Sequence, residues 1–354
     1  SGSNFVAFKQ DRSGFLQPGF PFIESIDGLA LTNWFENTES VVCNGSPQYR
    51  THHNLRYLRY ISWLRAERGM PDSSDMVVVL RSRTGKTNKL TFPVANKFPI
   101  YGAWPRTNSK LLKGNIGYLR IARMNNQATR QIRDWMPKFK DARGLIVDVR
   151  GNGGGSREAL LHLHAYLHSS DDPPRVMNAA VFRKGFPDDQ LKARFMYRET
   201  WKGWKPAERR AIEAFKTSFR PEWEFPAEQF SDWHYLVLRS RDYGGTYPFH
   251  RPVVVLMDAG CFSATDIFLA GLKGLPNVTL MGQASGGGSA RTESIRTRHI
   301  RVDVRLGSMI SFQANGKLFD GNGVEPDVEI HPTPEYFIGQ GDNVLEAAIE
   351  RLTE

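Results

Sequence analysis

Apolar runs long enough to cross a bilayer are missing from this 354-residue sequence; none approaches the ~20 residues a span requires, so no stable membrane insertion is expected. Cysteine is scarce. Cys43 and Cys261 stand far apart, and two thiols in unrelated contexts define no disulfide framework. No grouping of His, Cys, Asp and Glu has metal-ligand spacing, which argues against a metalloprotease, and no cofactor is implied. Neither G-x-x-x-x-G-K-[ST] nor G-x-G-x-x-G occurs, so phosphate and dinucleotide binding lose their usual signatures. G-x-S-x-G is also absent, which counts against an α/β-hydrolase.

Positive charge prevails, with 47 Lys and Arg against 37 Asp and Glu, a formal net charge of +10. The cations are scattered, with some density in RYLRYISWLRAER and RTESIRTRHIRVDVR, and no nucleic-acid motif accompanies them. A solvated basic surface is therefore expected, with no nucleic-acid partner. A hydrophobic fraction of 40% is enough to bury a core.

Residues 1–97 read as a small mixed unit. NFVAF and PFIESIDG are short strand patterns, the second ending in an Asp27-Gly28 turn. Ser46 is placed to cap a helix over 47–68, with Pro47 at its first position and Leu55, Leu58, Ile61 and Leu64 as its stripe. Two alternating runs around Thr84-Gly85-Lys86 predict a hairpin, and the whole is the size of a PDZ module. From residue 98 onward the pattern becomes α/β. IGYLRIA, GLIVDVR, VVVLM and VTLMGQ read as strands, and helical patterns such as TRQIRDWMPKFKD and REALLHLHAYLH alternate with them. Such alternation implies a mainly parallel sheet with right-handed crossovers. A segment rich in Trp, Arg, Lys and Glu, about 186–234, interrupts it as an inserted helical lobe.

Two loops leave buried strands at their carboxyl ends, the edge where open α/β sheets collect their sites. In DVRGNGGGSRE, successive glycines let backbone N–H groups approach a ligand at a helix start; a phosphate, an oxyanion or nothing at all fits there. In DAGCFSATD, Ser263 falls at the first turn of a helix among small residues. It is either an N-cap or a nucleophile, with the Ala264 N–H a natural oxyanion donor.

The two loops resemble those of peptidase family S41, the carboxyl-terminal processing or tail-specific proteases. GLIVDVRGNGGGS looks like that family's strand and glycine loop, VVVLMDAGCFSATDIFLAGLKGLPNVTLMGQASGGGS like its nucleophile segment, and FDGNGVEPDVEI like its closing element. The resemblance implies a layered ClpP/crotonase-like α/β core over 98–354, preceded by a PDZ-like peptide-binding domain over 1–97. It implies Ser263 as nucleophile, the Gly153 and Gly154 backbone with the Ala264 N–H as oxyanion hole, and Asp266 and Ser285 as supporting residues. Many members use a Ser–Lys dyad, but Gly288 stands here at the Lys position. The likeness is closer to the tricorn-type branch, which uses Ser–His–Glu, and Asp320 takes the place of that acid. The branch's His usually precedes the PDZ-like module, so the base is expected outside this chain; His52 and His53 match no motif. The family also implies a polypeptide substrate and an extracytoplasmic (periplasmic or secreted) bacterial setting.

The resulting expectation is a serine endopeptidase cleaving unfolded or C-terminal peptide segments. Its rivals are a catalytically silent peptide-binding scaffold and, on the shared two-loop layout, an acyl-CoA enzyme of the crotonase type.

Overall fold

The computed structural model describes residues 1–95, 97, 104–169, 171–185 and 190–354. The first unit begins with β1 (Phe22–Ile26), α1 (Leu31–Thr38) and α2 (Pro47–Tyr57). A 3₁₀ turn at Leu58–Tyr60, α3 (Ile61–Glu67), β2 (Asp75–Arg81) and β3 (Thr87–Pro93) complete it. Its three strands form one antiparallel sheet in the order β1-β2-β3. Ser46 caps α2 as expected, accepting from the Tyr49 amide at 3.1 Å. The single helix expected over 47–68 is instead broken by the 3₁₀ turn, and NFVAF contributes only isolated bridges, Val6 with Phe22 and Phe8 with Phe15. Trp34 and Leu64, both fully buried, centre a small core of their own.

The larger unit follows with β4 (Lys110–Leu112), β5 (Ile116–Arg120), α4 (Asn126–Trp135), β6 (Gly144–Asp148), α5 (Glu158–Leu167) and β7 (Arg175–Phe182). Then come α6 (Gln190–Ala193), β8 (Tyr197–Arg198), α7 (Pro206–Ser218) and β9 (His234–Leu238). The chain continues through β10 (Val253–Met257), α8 (Ala264–Leu272), β11 (Val278–Gly282), β12 (Thr292–Arg296), β13 (Asp303–Gly307) and β14 (Met309–Gln313). It closes with β15 (Val328–Glu329), α9 (Pro334–Phe337) and α10 (Asn343–Arg351).

The central sheet has the order β15-β11-β10-β6-β5-β4 and is parallel except at β4. β6 and β10 are buried along their whole length, which is why they read as continuous apolar runs. Alternate residues serve opposite faces. Leu145, Val147, Val253 and Val255 pack with α4, α5 and α8, whereas Ile146, Val254 and Leu256 pack with Val344 and Ala348 of α10.

A second, antiparallel sheet has the order β14-β7-β9-β8. The interrupting segment is thus only partly helical: α7 packs on β7 and β9, and β8 lends that sheet an edge. Residues 186–189, where the lobe was expected to start, lie outside the described residues, as does much of the expected linker. IRVDVRLG yields β13, but it pairs with β12 in a separate two-stranded ribbon. Among the described residues no helix is long and apolar enough to cross a membrane.

Candidate active site

Strands β6 and β10 lie side by side in register, from Val253 opposite Leu145 to Leu256 opposite Asp148, so their loops emerge at one edge. Those loops are tied together. The Asp258 carboxylate accepts from the Gly151 and Gly260 amides at 2.8 and 3.0 Å, and the Asn152 carbonyl accepts from the Phe262 amide at 3.0 Å. Asn152 is fully buried; its side-chain amide donates to the Ile121 carbonyl at 2.9 Å, and its Oδ1 accepts from the Gly154 amide at 3.0 Å.

This network places the Ser263 backbone against the glycine loop. A Cβ built on Gly154 would lie 2.6 Å from the Phe262 carbonyl oxygen, 2.8 Å from Ser263 Cβ and 3.0 Å from the Ala264 nitrogen, so only glycine fits. The sequence-predicted Ser263, Gly154 and Ala264 are therefore in one place. Ser263 sits at φ 60°, ψ −117°, a left-handed conformation that a β-carbon disfavours by ~1–3 kcal/mol. It occupies the N-cap position of α8, yet its side chain makes no capping hydrogen bond. Capping does not account for the hydroxyl. Of the two glycines proposed as donors, Gly154 spends its N–H on Asn152, whereas Gly153 has open space beside its Cα.

Behind Ser263, Asp266 is fully buried. Its carboxylate accepts from Ser285 Oγ at 2.5 Å and from the Gly287 and Gly288 amides at 3.1 Å each. The Ser263 amide also donates to it. Burial pushes its pKa up to about 7, against the pull of those donors. Ser285, also buried, accepts in turn from the Val324 amide at 2.7 Å, linking the turn after β11 to the closing segment. The two supporting residues thus meet each other beneath the nucleophile helix.

Gly288, at the position of the family's Lys, lies under the Phe262 ring, where an added Cβ would meet Cζ at 2.1 Å. There is no room for a lysine stem. Asp320 is half-buried and accepts from the Ser289 and Ala290 amides; burial raises its pKa, and no described imidazole pairs with it.

The first unit docks directly on this assembly, a relation no local pattern announces. Ser46 Oγ donates to the Gly286 carbonyl at 2.6 Å, and Gln48 Nε2 donates to the Ser285 and Asn322 carbonyls at 2.7 and 2.8 Å. The Tyr49 ring stacks on Phe262 with centroids 5.1 Å apart. Between α2 and the sheet edge is an open cavity of about 1120 Å³, walled by Gly153, Gly154, Asp258, Gly260 and His52. Burial in this concave wall lowers the His52 pKa, while Asp258 opposes the shift. Its neighbour His53, stacked on Tyr49, is lowered by burial to about 4. A second cavity, about 720 Å³, lies in the other sheet between Phe182, Arg198 and Trp233, away from these loops.

The family model of peptidase family S41 matches residues 115–330, which span both loops and the closing element. The chain belongs to peptidase family S41. It is a peptidase by that membership, with a polypeptide as its class of substrate. Solved structures agree on the fold. A candidate peptidase from Parabacteroides merdae is 20% identical, covering 92% of this chain and 90% of its own, with a TM-score of 0.50. Mature CPAF is 15% identical over 96% of this chain and 78% of its own, TM-score 0.61. CPAF complexed with lactacystin is 14% identical over 99% and 82%, again with a TM-score of 0.61. No curated protein sequence matches the chain.

Proposed function

We propose that this S41 peptidase is a serine endopeptidase acting on unfolded or C-terminal peptide segments. Ser263 Oγ attacks the scissile carbonyl, and the Ala264 and Gly153 N–H groups receive the developing oxyanion. Losing one such donor costs ~3–4 kcal/mol in other enzymes. The observation that carries the reading is the strained, uncapped Ser263 held against Gly154 at a helix N-terminus. Strain of this kind collects where mechanism needs it. Asp266 and Ser285 hold the nucleophile helix in register with its loops.

The base is an imidazole, because position 288 leaves no space for a lysine. Two sources fit: a histidine on polypeptide outside residues 1–354, with Asp320 as its acid, and His52, which already lines the cavity. The 1–97 unit is read as a PDZ-like domain whose open sheet edge pairs with an extended peptide, followed by a protease core over 98–354. An extracytoplasmic bacterial setting follows from the family resemblance alone.

A silent peptide-binding scaffold is the second reading, favoured by the amide bonds that occupy Asp320. A fluorophosphonate probe separates the two. Labelling that disappears in Ser263→Ala supports the enzyme; absence of labelling in the full-length protein leaves the scaffold. Loss of labelling in His52→Gln would identify that residue as the base.

A further inference from the structure

Three residues beyond Gly154, at the start of α5, stands Arg157, which is 4% exposed. One of its terminal nitrogens donates to Asn178 Oδ1 at 3.1 Å and to the Arg194 carbonyl at 3.2 Å. The other terminal nitrogen is sealed from solvent and has no partner among the described residues. Two more guanidiniums gather there. Arg194, half-buried at the end of α6, feels the charge of Arg291, and Arg157 feels that of Arg194. Arg291 is 1% exposed and is paired with Glu293. Three cations thus converge on one carboxylate.

Burying like charges without compensation is costly, and burial together with Arg194 drives the Arg157 pKa down to about 9. A guanidinium fork with an idle terminal nitrogen matches a carboxylate bidentately. The place is suited to a substrate. Three residues of chain reach ~10 Å at most, so Arg157 lies within one or two peptide units of the glycine loop. Arg194, the most exposed of the three, covers the approach from solvent.

We propose that Arg157, Arg194 and Arg291 form a carboxylate-binding subsite beside the nucleophile, which holds the substrate through an acidic side chain or through its C-terminal carboxylate. This deepens, and rests on, the endopeptidase reading. The recognised group is the same for both sources, and the assay separates them.

Matched fluorogenic peptides provide the test. One pair differs only in Glu against Gln at a position flanking the scissile bond; the other differs only in a free or amidated C-terminus. The acid member of at least one pair is expected to win by about tenfold in kcat/KM, the scale of a charged hydrogen bond. Preference in the first pair alone assigns a side chain, and preference in the second alone assigns the chain end. In Arg157→Gln and, as a more exposed variant, Arg194→Gln, the ratio should fall toward one. Equal rates within both pairs, or a ratio unchanged in both variants, would overturn the proposal. The same peptides are to be titrated against Ser263→Ala by fluorescence anisotropy. If that variant prefers the acid peptides while the wild type cleaves none, the subsite stands and the hydrolytic reading falls.

Discussion

Replacing Gly154 by alanine tests the convergence of the two loops more sharply than removing the nucleophile. The new methyl group would sit 2.6 Å from the Phe262 carbonyl oxygen and 2.8 Å from Ser263 Cβ, well inside contact distance. Gly154 also has φ 101°, where an L-residue is strained by a further ~1 kcal/mol or more. The loop must therefore retreat from Ser263 by several tenths of an ångström. Misplacing donors by ~1 Å costs about a hundredfold in rate, so kcat/KM should fall by roughly that factor. Stability should fall by only ~1–3 kcal/mol, because the overpacking is confined to one loop. Gly153→Ala is the internal control: its Cβ would meet nothing within 4 Å, and its N–H remains. It should lose no more than about twofold. The assay is kcat/KM on an unfolded fluorogenic protein, with the fluorophosphonate labelling rate and thermal midpoint measured in parallel. A Gly154→Ala variant that labels and cleaves like the wild type would refute the claim that these loops share a site.

Other substitutions probe the supporting layers. Between pH ~4 and ~7 the folded chain keeps a proton on Asp266 that the unfolded chain has released, so this group makes stability fall as pH rises through that window. Asp266→Asn should flatten that limb in denaturant midpoints taken against pH; an unchanged slope would contradict it. Gly288→Lys should not create a dyad, because its Cβ would meet the Phe262 ring at 2.1 Å; a thermal midpoint lowered by ~1–3 kcal/mol of overpacking is expected, and a wild-type melt would refute it. Gln48→Ala strips a donor from the Ser285 and Asn322 carbonyls, a loss of ~1–3 kcal/mol. Faster hydrogen exchange at 285–288 would register the loosened contact, and exchange identical to wild type would remove α2 from the site's support.

Local chemistry was legible where a residue acts on its own neighbours. Ser46 and Pro47 start α2 because capping is a short-range bond, and Asp27-Gly28 turns the chain because both residues take positive φ. The burial of β6 and β10 was legible because a strand covered on both faces has no polar alternation to offer. Assignment of strands to sheets was not. β13 carries the alternation of a half-buried strand, yet Val304 and Leu306 are exposed on a free ribbon, and period alone does not name a partner. The break at Leu58–Tyr60 is equally silent, since no Gly or Pro marks it. At the site, Ser263 and the glycine loop were readable from their motifs. Asn152, Gln48 and the face of α2 that carries His52 were not, because their roles depend on contacts between segments far apart in sequence.

The missing G-x-S-x-G now has a physical explanation. That signature puts glycines two residues either side of a serine so that strand and helix can pass closely around a strained turn. Here Cys261 and Thr265 occupy those places and Phe262 precedes the serine, so the nucleophile's own loop supplies no slack. The close approach is supplied from across the gap. Gly154 yields its β-carbon space to Ser263, and Gly288 yields its own to the Phe262 ring. Strain at Ser263 is then sustained by two facing loops, themselves fastened by Asn152 and Asp266. Restoring glycine at 261 or 265 should accordingly bring no gain in labelling rate, whereas removing it at 154 should abolish most of it.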